Sequence, residues 1–165
     1  MRSARYHRRM RTVLFLCTGN TCRSPMAEAI ARHALEHGQV PGVKDKVFVA
    51  SAGLAAGDGM PVSDETLEAL ERIGIAHEGA SKGATAEMLR KADRVLVMTE
   101  GHLNAARRLL GDDERAKARV ERLDPEGDVD DPIGHGVAAY HALAKRFQRL
   151  VPRRLAEALA GAATA

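Results

Sequence analysis

Residues 12 to 25 read Thr-Val-Leu-Phe-Leu-Cys-Thr-Gly-Asn-Thr-Cys-Arg-Ser-Pro, and this stretch decides the fold. Its first six residues form a short apolar, β-branched run of the kind buried on both faces as a parallel strand. Gly19 and Asn20 break it, and both tolerate the positive φ that a tight loop demands. Ser24 and Pro25 supply an expected N-cap and first-turn proline. Ala27, Ile30, Ala31, Ala34 and Leu35 then recur at helical spacing, with a stop near Gly38. Strand, tight loop and helix make the opening unit of an open α/β sheet.

The alternation continues along the chain. Residues 47–53 (VFVASAG) read as a second strand, 61–73 as a helix, 85–91 as a short helix, 94–99 (RVLVMT) as a third strand, 103–110 as a helix and 119–124 as a weaker fourth strand. From Val137, Tyr140, Ala144, Phe147 and Val151 trace a long amphipathic helix, expected to bend or break at Pro152. Strands separated by helices require right-handed crossovers, which implies a three-layer α/β fold: four parallel strands in an open sheet with helices on both faces. No internal repeat or interdomain linker interrupts the pattern, so residues 12–165 are expected to be one domain behind a basic, disordered tail at 1–11. In such sheets ligands bind at the carboxyl ends of the strands. Loop 17–24 and the stretch GDVDDPIGHG at 127–136 both belong there.

Composition narrows the function classes. The 165 residues are 45% hydrophobic and 28% charged, the profile of a soluble globular chain. Aromatics are only 3%, without Trp, which argues against base-stacking platforms for nucleic acid. No apolar run approaches the ~20 residues that span a bilayer, and the start has no hydrophobic signal core. The expectation is a cytoplasmic protein whose folded body binds neither nucleic acid nor membrane. The net charge of +3 includes five arginines within residues 1–11 (Arg2, Arg5, Arg8, Arg9, Arg11), so the body alone stands at −2. That tail reads as a solvated leader, with Met10 an alternative start, or as an anchor for an acidic surface. Cys17 and Cys22, with four residues between them, make neither a disulfide framework nor a zinc half-site. No metal and no cofactor are expected.

Loop 17–24 instead has the parts of an oxyanion receptor. Backbone N–H groups of Thr18, Gly19, Asn20, Thr21, Cys22, Arg23 and Ser24 can converge on one anion, and the following helix aims its free N–H groups and positive dipole end at the same point. The Arg23 guanidinium can grip two oxygens at once. Cys17, at the strand end beneath this positive field, is expected to present a thiolate. A Walker-type loop is excluded, because GxxxxGK[ST] is absent. Cys-x5-Arg is common by chance, whereas Cys-x5-Arg-Ser-Pro joining a buried strand to a helix is specific.

VLFLCTGNTCRSPMAEA (13–29) resembles the signature of the low-molecular-weight protein tyrosine phosphatase family. Ser51-Ala52-Gly53, VLVMT at 95–99 and Asp131-Pro132 extend the resemblance from about residue 12 to 151. The resemblance implies a four-stranded parallel sheet, phosphorylated proteins as substrates, Cys17 as nucleophile, Arg23 as clamp on the phosphoryl group and Asp131 as general acid. Asp130, Asp128 and Asp124 are nearby rivals for the acid. Chemistry agrees with these roles: thiolate attack splits hydrolysis into two displacements, the clamp meets charge gained in the transition state, and the leaving group needs a proton. Asn20 and Ser51 match positions that hold the loop in shape. The Ser24 hydroxyl either caps the helix or donates to the Cys17 sulfur. Cys22 is either a small core residue or a partner for a reversible disulfide with Cys17 under peroxide. A monomer is expected.

Two positions bear on substrate choice. Tyrosine-directed members usually have a bulky aliphatic residue before the second cysteine; Thr21 stands there, as in the bacterial protein arginine phosphatases, and a hydroxyl suits a polar phosphoguanidinium. After Asp131-Pro132 comes Ile133, not an aromatic that would stack on a phenol, and no aromatic appears until Tyr140. Arginine phosphatases tend to have Phe where Ile133 stands. The family often also has a histidine bonding the loop-support serine; alignment puts Gly79 there, and His77, two positions early, reads as a surface residue. Phosphoarginine is the expected substrate and phosphotyrosine the alternative. Arsenate reductases of this fold need further cysteines to relay a disulfide, and a non-catalytic anion-binding module would lack the nucleophile or the acid.

Overall fold

The structure, a computed structural model, describes residues 10–160. The elements in chain order are β1 (Arg11–Cys17), α1 (Arg23–Glu36), β2 (Val47–Gly53), α2 (Asp64–Arg72), α3 (Ala86–Lys91), β3 (Arg94–Val97), α4 (Glu100–Leu110), α5 (Glu114–Lys117), β4 (Val120–Arg122) and α6 (Val137–Ala160). All strand pairs are parallel, in the order β2-β1-β3-β4. The chain leaves β1 to one side to form β2 and returns to the other side for β3. The carboxyl end of β1 is therefore the switch point, where such sheets open a crevice for ligands.

Side-chain alternation along β1 builds both cores. Val13, Phe15 and Cys17 face one cluster, with Met26, Ile30, Phe147, Leu155 and other residues of α1 and α6. Leu14 and Leu16 face the other, with Leu89, Ala106 and Leu110 of α3 and α4. A strand apolar on both sides is stable only between two helical layers. Phe15 and Phe147 are wholly buried, and removing either ring would cost about 3–5 kcal/mol.

Several boundaries differ from expectation. β1 begins at Arg11, whose guanidinium donates to Leu159 O at 2.6 Å and lies 3.7 Å from Asp45, so this arginine belongs to the domain and not to the tail. The rest of the basic tail, residues 1–9, lies outside the described residues. α2 starts at Asp64 because the Ser63 side chain accepts from Thr66 N as its cap. β3 stops at Val97 because Thr99 is the cap of α4, accepting from His102 N. The long helix α6 runs unbroken through Pro152. Proline leaves the carbonyl of Gln148 without its i−4 partner, but Gln148 is exposed to water, while Leu150, Val151, Leu155 and Leu159 are buried and hold both halves in place. The single-turn helix α5 has no sequence expectation, being too short to show periodicity. Among the described residues, no helix is long and apolar enough to cross a membrane.

Candidate active site

The loop after β1 is tied down from three sides. Leu54 N donates to Cys17 O at 2.9 Å and Ala55 N to Thr18 O at 3.0 Å, which seats the loop on the segment leaving β2. The approach is close: a Cβ on Gly53 would lie 2.6 Å from Thr18 O and 3.1 Å from Asn20 Cβ, so only glycine fits there. Asn20 has φ of 55°, the left-handed conformation that Asn tolerates better than other non-glycine residues. Its buried side chain is a hub. Nδ2 donates to Ser24 Oγ at 2.8 Å and to Ser51 Oγ at 2.9 Å, and Oδ1 accepts from Lys82 N at 3.1 Å. Ser51 Oγ donates onward to Glu28 Oε1 at 3.0 Å. Among the described residues, the N–H groups of residues 18–24 have no protein acceptor. Uncommitted donors of this kind at a helix start can receive an anion.

Cys17 is buried at the strand end, its Sγ 2.9 Å from Ser24 Oγ. Ser24 Oγ accepts from Asn20 Nδ2 at 2.8 Å, and its own hydrogen has two acceptors within reach, the Cys17 sulfur at 2.9 Å and Ala52 O at 3.5 Å. Ser24 is not the helix cap: α1 begins at Arg23, with Cys22 at the cap position and no side-chain cap bond. The hydroxyl is withdrawn from capping because Asn20 and Cys17 both hold it inside.

Arg23 is buried to 5% exposure. Its Nη1 donates to Val129 O at 2.9 Å, and its Nη2 lies 3.6 Å from Asp131 Oδ2. The segment carrying Asp131 is itself held: Val129 N donates to Met98 O at 2.8 Å at the end of β3, and Asp131 Oδ1 accepts from Ile133 N at 3.0 Å. The guanidinium and this carboxyl thus meet across the loop. Of the other carboxylates on this stretch, two are engaged, while Asp130 lines the same depression as Asp131. Asp124 pairs with Arg146 at 2.6 Å, Asp128 accepts from Glu100 N at 2.9 Å, and Asp130 has no ion pair among the described residues.

The remaining residues sit around this centre. Thr21 O accepts from Ser63 N at 3.0 Å, and Ile133 is 59% exposed. Cys22 Sγ turns inward, 3.5 Å from Ser63 Oγ and 3.6 Å from Tyr140 OH; both cysteines are free thiols. Burial, then the Cys22 contact, push the Tyr140 hydroxyl upward from its ordinary pKa. Tyr140 therefore supports the loop from below, beside Cys22. His77 is not a surface residue: its side chain is 3% exposed and its Nε2 lies 3.8 Å from Glu28 Oε2. Gly79 makes the room, since a Cβ there would stand 3.2 Å from His77 Nε2. Burial, with Arg32 and Lys82, lowers the His77 pKa against the opposing pull of Glu28.

One neighbour of the loop has no counterpart in the sequence reading. His102, on the first turn of α4, places Nε2 2.8 Å from Thr18 Oγ1. Burial and then Arg23 lower its pKa, opposed by Asp128 and Asp131, which puts it within electrostatic reach of the arginine and the carboxylate. Its only sequence signal is a polar residue in the first turn after β3, at the same sheet end as Cys17.

The loop thus brings together uncommitted backbone N–H groups, a thiol, a guanidinium and a carboxyl facing that guanidinium, a set that can receive an oxyanion. Among the described residues no cluster of His, Cys, Asp and Glu could hold a metal ion. Comparison with known proteins agrees with this chemistry. The family model described as low molecular weight phosphotyrosine protein phosphatase matches residues 12–163. A protein-arginine-phosphatase of Geobacillus stearothermophilus is 36% identical over 152 residues, covering 89% of this chain and 95% of its own. The low molecular weight protein-tyrosine-phosphatase PtpB of Staphylococcus haemolyticus is 34% identical over 139 residues, covering 84% and 91%. Among solved structures, the YwlE arginine phosphatase from Geobacillus stearothermophilus superposes with a TM-score of 0.74 at 34% identity, over 92% of this chain and 94% of that one.

Proposed function

The chain belongs to the low molecular weight phosphotyrosine protein phosphatase family and is a cysteine-dependent phosphatase acting on phosphoproteins, and we propose that its substrate is phosphoarginine, hydrolysed by Cys17, Arg23 and Asp131. The observation that supports these roles most is the placement of Cys17 Sγ, 2.9 Å from the Ser24 hydroxyl, at the base of a loop whose Arg23 faces Asp131 at 3.6 Å.

In the first step the Cys17 thiolate attacks phosphorus, the P–N bond of phosphoarginine breaks, and Asp131 gives its proton to the departing guanidine nitrogen. The amides of residues 18–24 and Arg23 meet the charge that gathers on the equatorial oxygens. In the second step water attacks the phosphorus of the cysteinyl-phosphate, Asp131 takes the water's proton, the S–P bond breaks, and inorganic phosphate leaves with the thiolate restored. The Ser24 hydroxyl, 2.9 Å from Sγ, is placed to hydrogen-bond the sulfur in both steps. Asn20 and Ser51 keep the loop curved around the anion.

Thr21 and Ile133 support phosphoarginine over phosphotyrosine. Among the described residues the loop offers an exposed aliphatic side chain at Ile133 and the Thr21 hydroxyl, with no aromatic ring beside them to stack on a phenol, a contact worth ~0.5–1.5 kcal/mol. Relatives named as arginine phosphatases point the same way. Phosphotyrosine stays as the second reading because relatives named as tyrosine phosphatases match over a similar share of the chain. Phosphoarginine and phosphotyrosine peptides, compared on the wild type and Thr21→Ile, test the proposal. The wild type is expected to prefer phosphoarginine and the variant to move toward phosphotyrosine. A wild-type preference for phosphotyrosine, or an unchanged ratio in the variant, would overturn it.

A further inference from the structure

His102 is buried against the loop, and the chemistry above leaves it without a task. It is 9% exposed, its backbone N–H is committed to Thr99 Oγ1 at 3.1 Å, and its Nε2 meets Thr18 Oγ1 at 2.8 Å. Its Nδ1 is buried with no partner. Thr18 follows Cys17 directly and is exposed at the loop surface, with its own carbonyl held by Ala55 N at 3.0 Å. The backbone of Thr18 is therefore fixed by β2's continuation, and its hydroxyl by α4.

The direction of the Thr18–His102 bond follows from the unpartnered nitrogen. A neutral imidazole has one N–H. If it sat on Nδ1, a buried donor would be stranded, which native structures almost never allow; an unmatched acceptor is better tolerated. The hydrogen therefore sits on Nε2 and is donated to Thr18 Oγ1. That leaves the threonine's own hydrogen uncommitted, on a β-branched side chain with few rotamers, one residue from the nucleophile.

From this geometry we infer that His102 is a positioning residue. By donating to Thr18 Oγ1 it locks that hydroxyl, whose free hydrogen then serves the bound phosphoryl group as a further donor beside the loop amides and Arg23. The inference rests on loop 17–24 being the phosphoryl site, and Cys17→Ser, assayed alongside, tests that premise separately.

The test uses the full chain with para-nitrophenyl phosphate as substrate and inorganic phosphate as inhibitor. His102→Phe keeps the ring and removes the bond, His102→Gln can return an N–H near the Nε2 position, and Thr18→Val removes the hydroxyl. A charge-assisted hydrogen bond of ordinary strength corresponds to roughly a tenfold change in rate. His102→Phe and Thr18→Val are each expected to lose about tenfold in kcat/KM and to weaken phosphate inhibition. The double variant is expected to lose no more than either single one, since both remove the same donor. His102→Gln is expected to recover most of the loss. A purely structural histidine would show none of this pattern. The inference is overturned if His102→Phe stays within about twofold of wild type, if the two losses multiply in the double variant, or if His102→Gln behaves as His102→Phe does. Should His102→Phe fail to fold, Thr18→Val must still lose about tenfold while His102→Gln stays near wild type, and failure of either overturns it. Turnover retained by Cys17→Ser would instead sink the premise.

Discussion

Replacing Asn20 separates two contributions that the structure combines in one residue. Its side chain makes three buried hydrogen bonds, to Ser24 at 2.8 Å, Ser51 at 2.9 Å and Lys82 N at 3.1 Å, and its backbone sits at φ of 55°. Asn20→Gly removes the bonds and relaxes the backbone. Ser24 and Ser51 keep other partners in Cys17 and Glu28, so the main stranded group is the Lys82 amide. Three bonds at a net ~0.5–1.5 kcal/mol each, in a network that partly reforms, give a loss of about 2–3 kcal/mol. Asn20→Ala adds the left-handed strain of an ordinary L-residue, ~1–2 kcal/mol. Glycine gives back part of that advantage through the entropy of its unfolded chain, ~0.4–1 kcal/mol. The alanine variant should therefore be about 1 kcal/mol less stable than the glycine variant. Against a domain stability of roughly 5–15 kcal/mol, both should still fold. Urea unfolding followed by far-ultraviolet circular dichroism measures each difference. Equal stabilities for the two variants would refute the backbone argument, and a loss under about 1 kcal/mol in both would refute the role of the side chain as a hub.

Other consequences follow from single contacts. Asp131→Asn should slow turnover strongly for substrates with poor leaving groups and only mildly for para-nitrophenyl phosphate, because only a basic leaving group needs the proton; a uniform loss across leaving groups would contradict the acid role. The lowered folded-state pKa of His77 and His102 means that the unfolded chain binds more protons below the ordinary histidine value near 6.5, so stability should fall as pH drops from about 7 toward 5. His77→Gln should flatten part of that slope in melting experiments, and a slope parallel to wild type would refute the burial argument.

How much of this is legible in the sequence depends on the range of the interaction. The β1–loop–α1 unit and the later strands follow from local pattern, because a strand covered on both faces and a helix with one buried face leave distinct periodicities. Cys17 and Arg23 are legible because their spacing is short and is interpreted by the loop between them. Ser24 reads two ways for the same reason: its local sequence suits a cap, whereas the contacts that claim it come from Asn20 in the loop and from the Cys17 sulfur. His77 misleads because exposure depends on a neighbour with no side chain, Gly79. The Thr18–His102 bond spans 84 residues and is created by β1 and β3 being adjacent in the sheet. Strand order is a tertiary fact, and only a survey of polar residues just beyond every strand end would have brought His102 forward. Pro152 shows the reverse case, a local rule that does not break the helix because buried leucines hold it on either side.

The most direct test of the account looks for phosphorus on sulfur. The full chain is mixed with a phosphorylated substrate, quenched rapidly under conditions that preserve thiophosphates, and digested for mass spectrometry. The account predicts a single phosphoryl adduct on Cys17, formed and lost during turnover. An adduct on another residue, or normal turnover by Cys17→Ser, would contradict it.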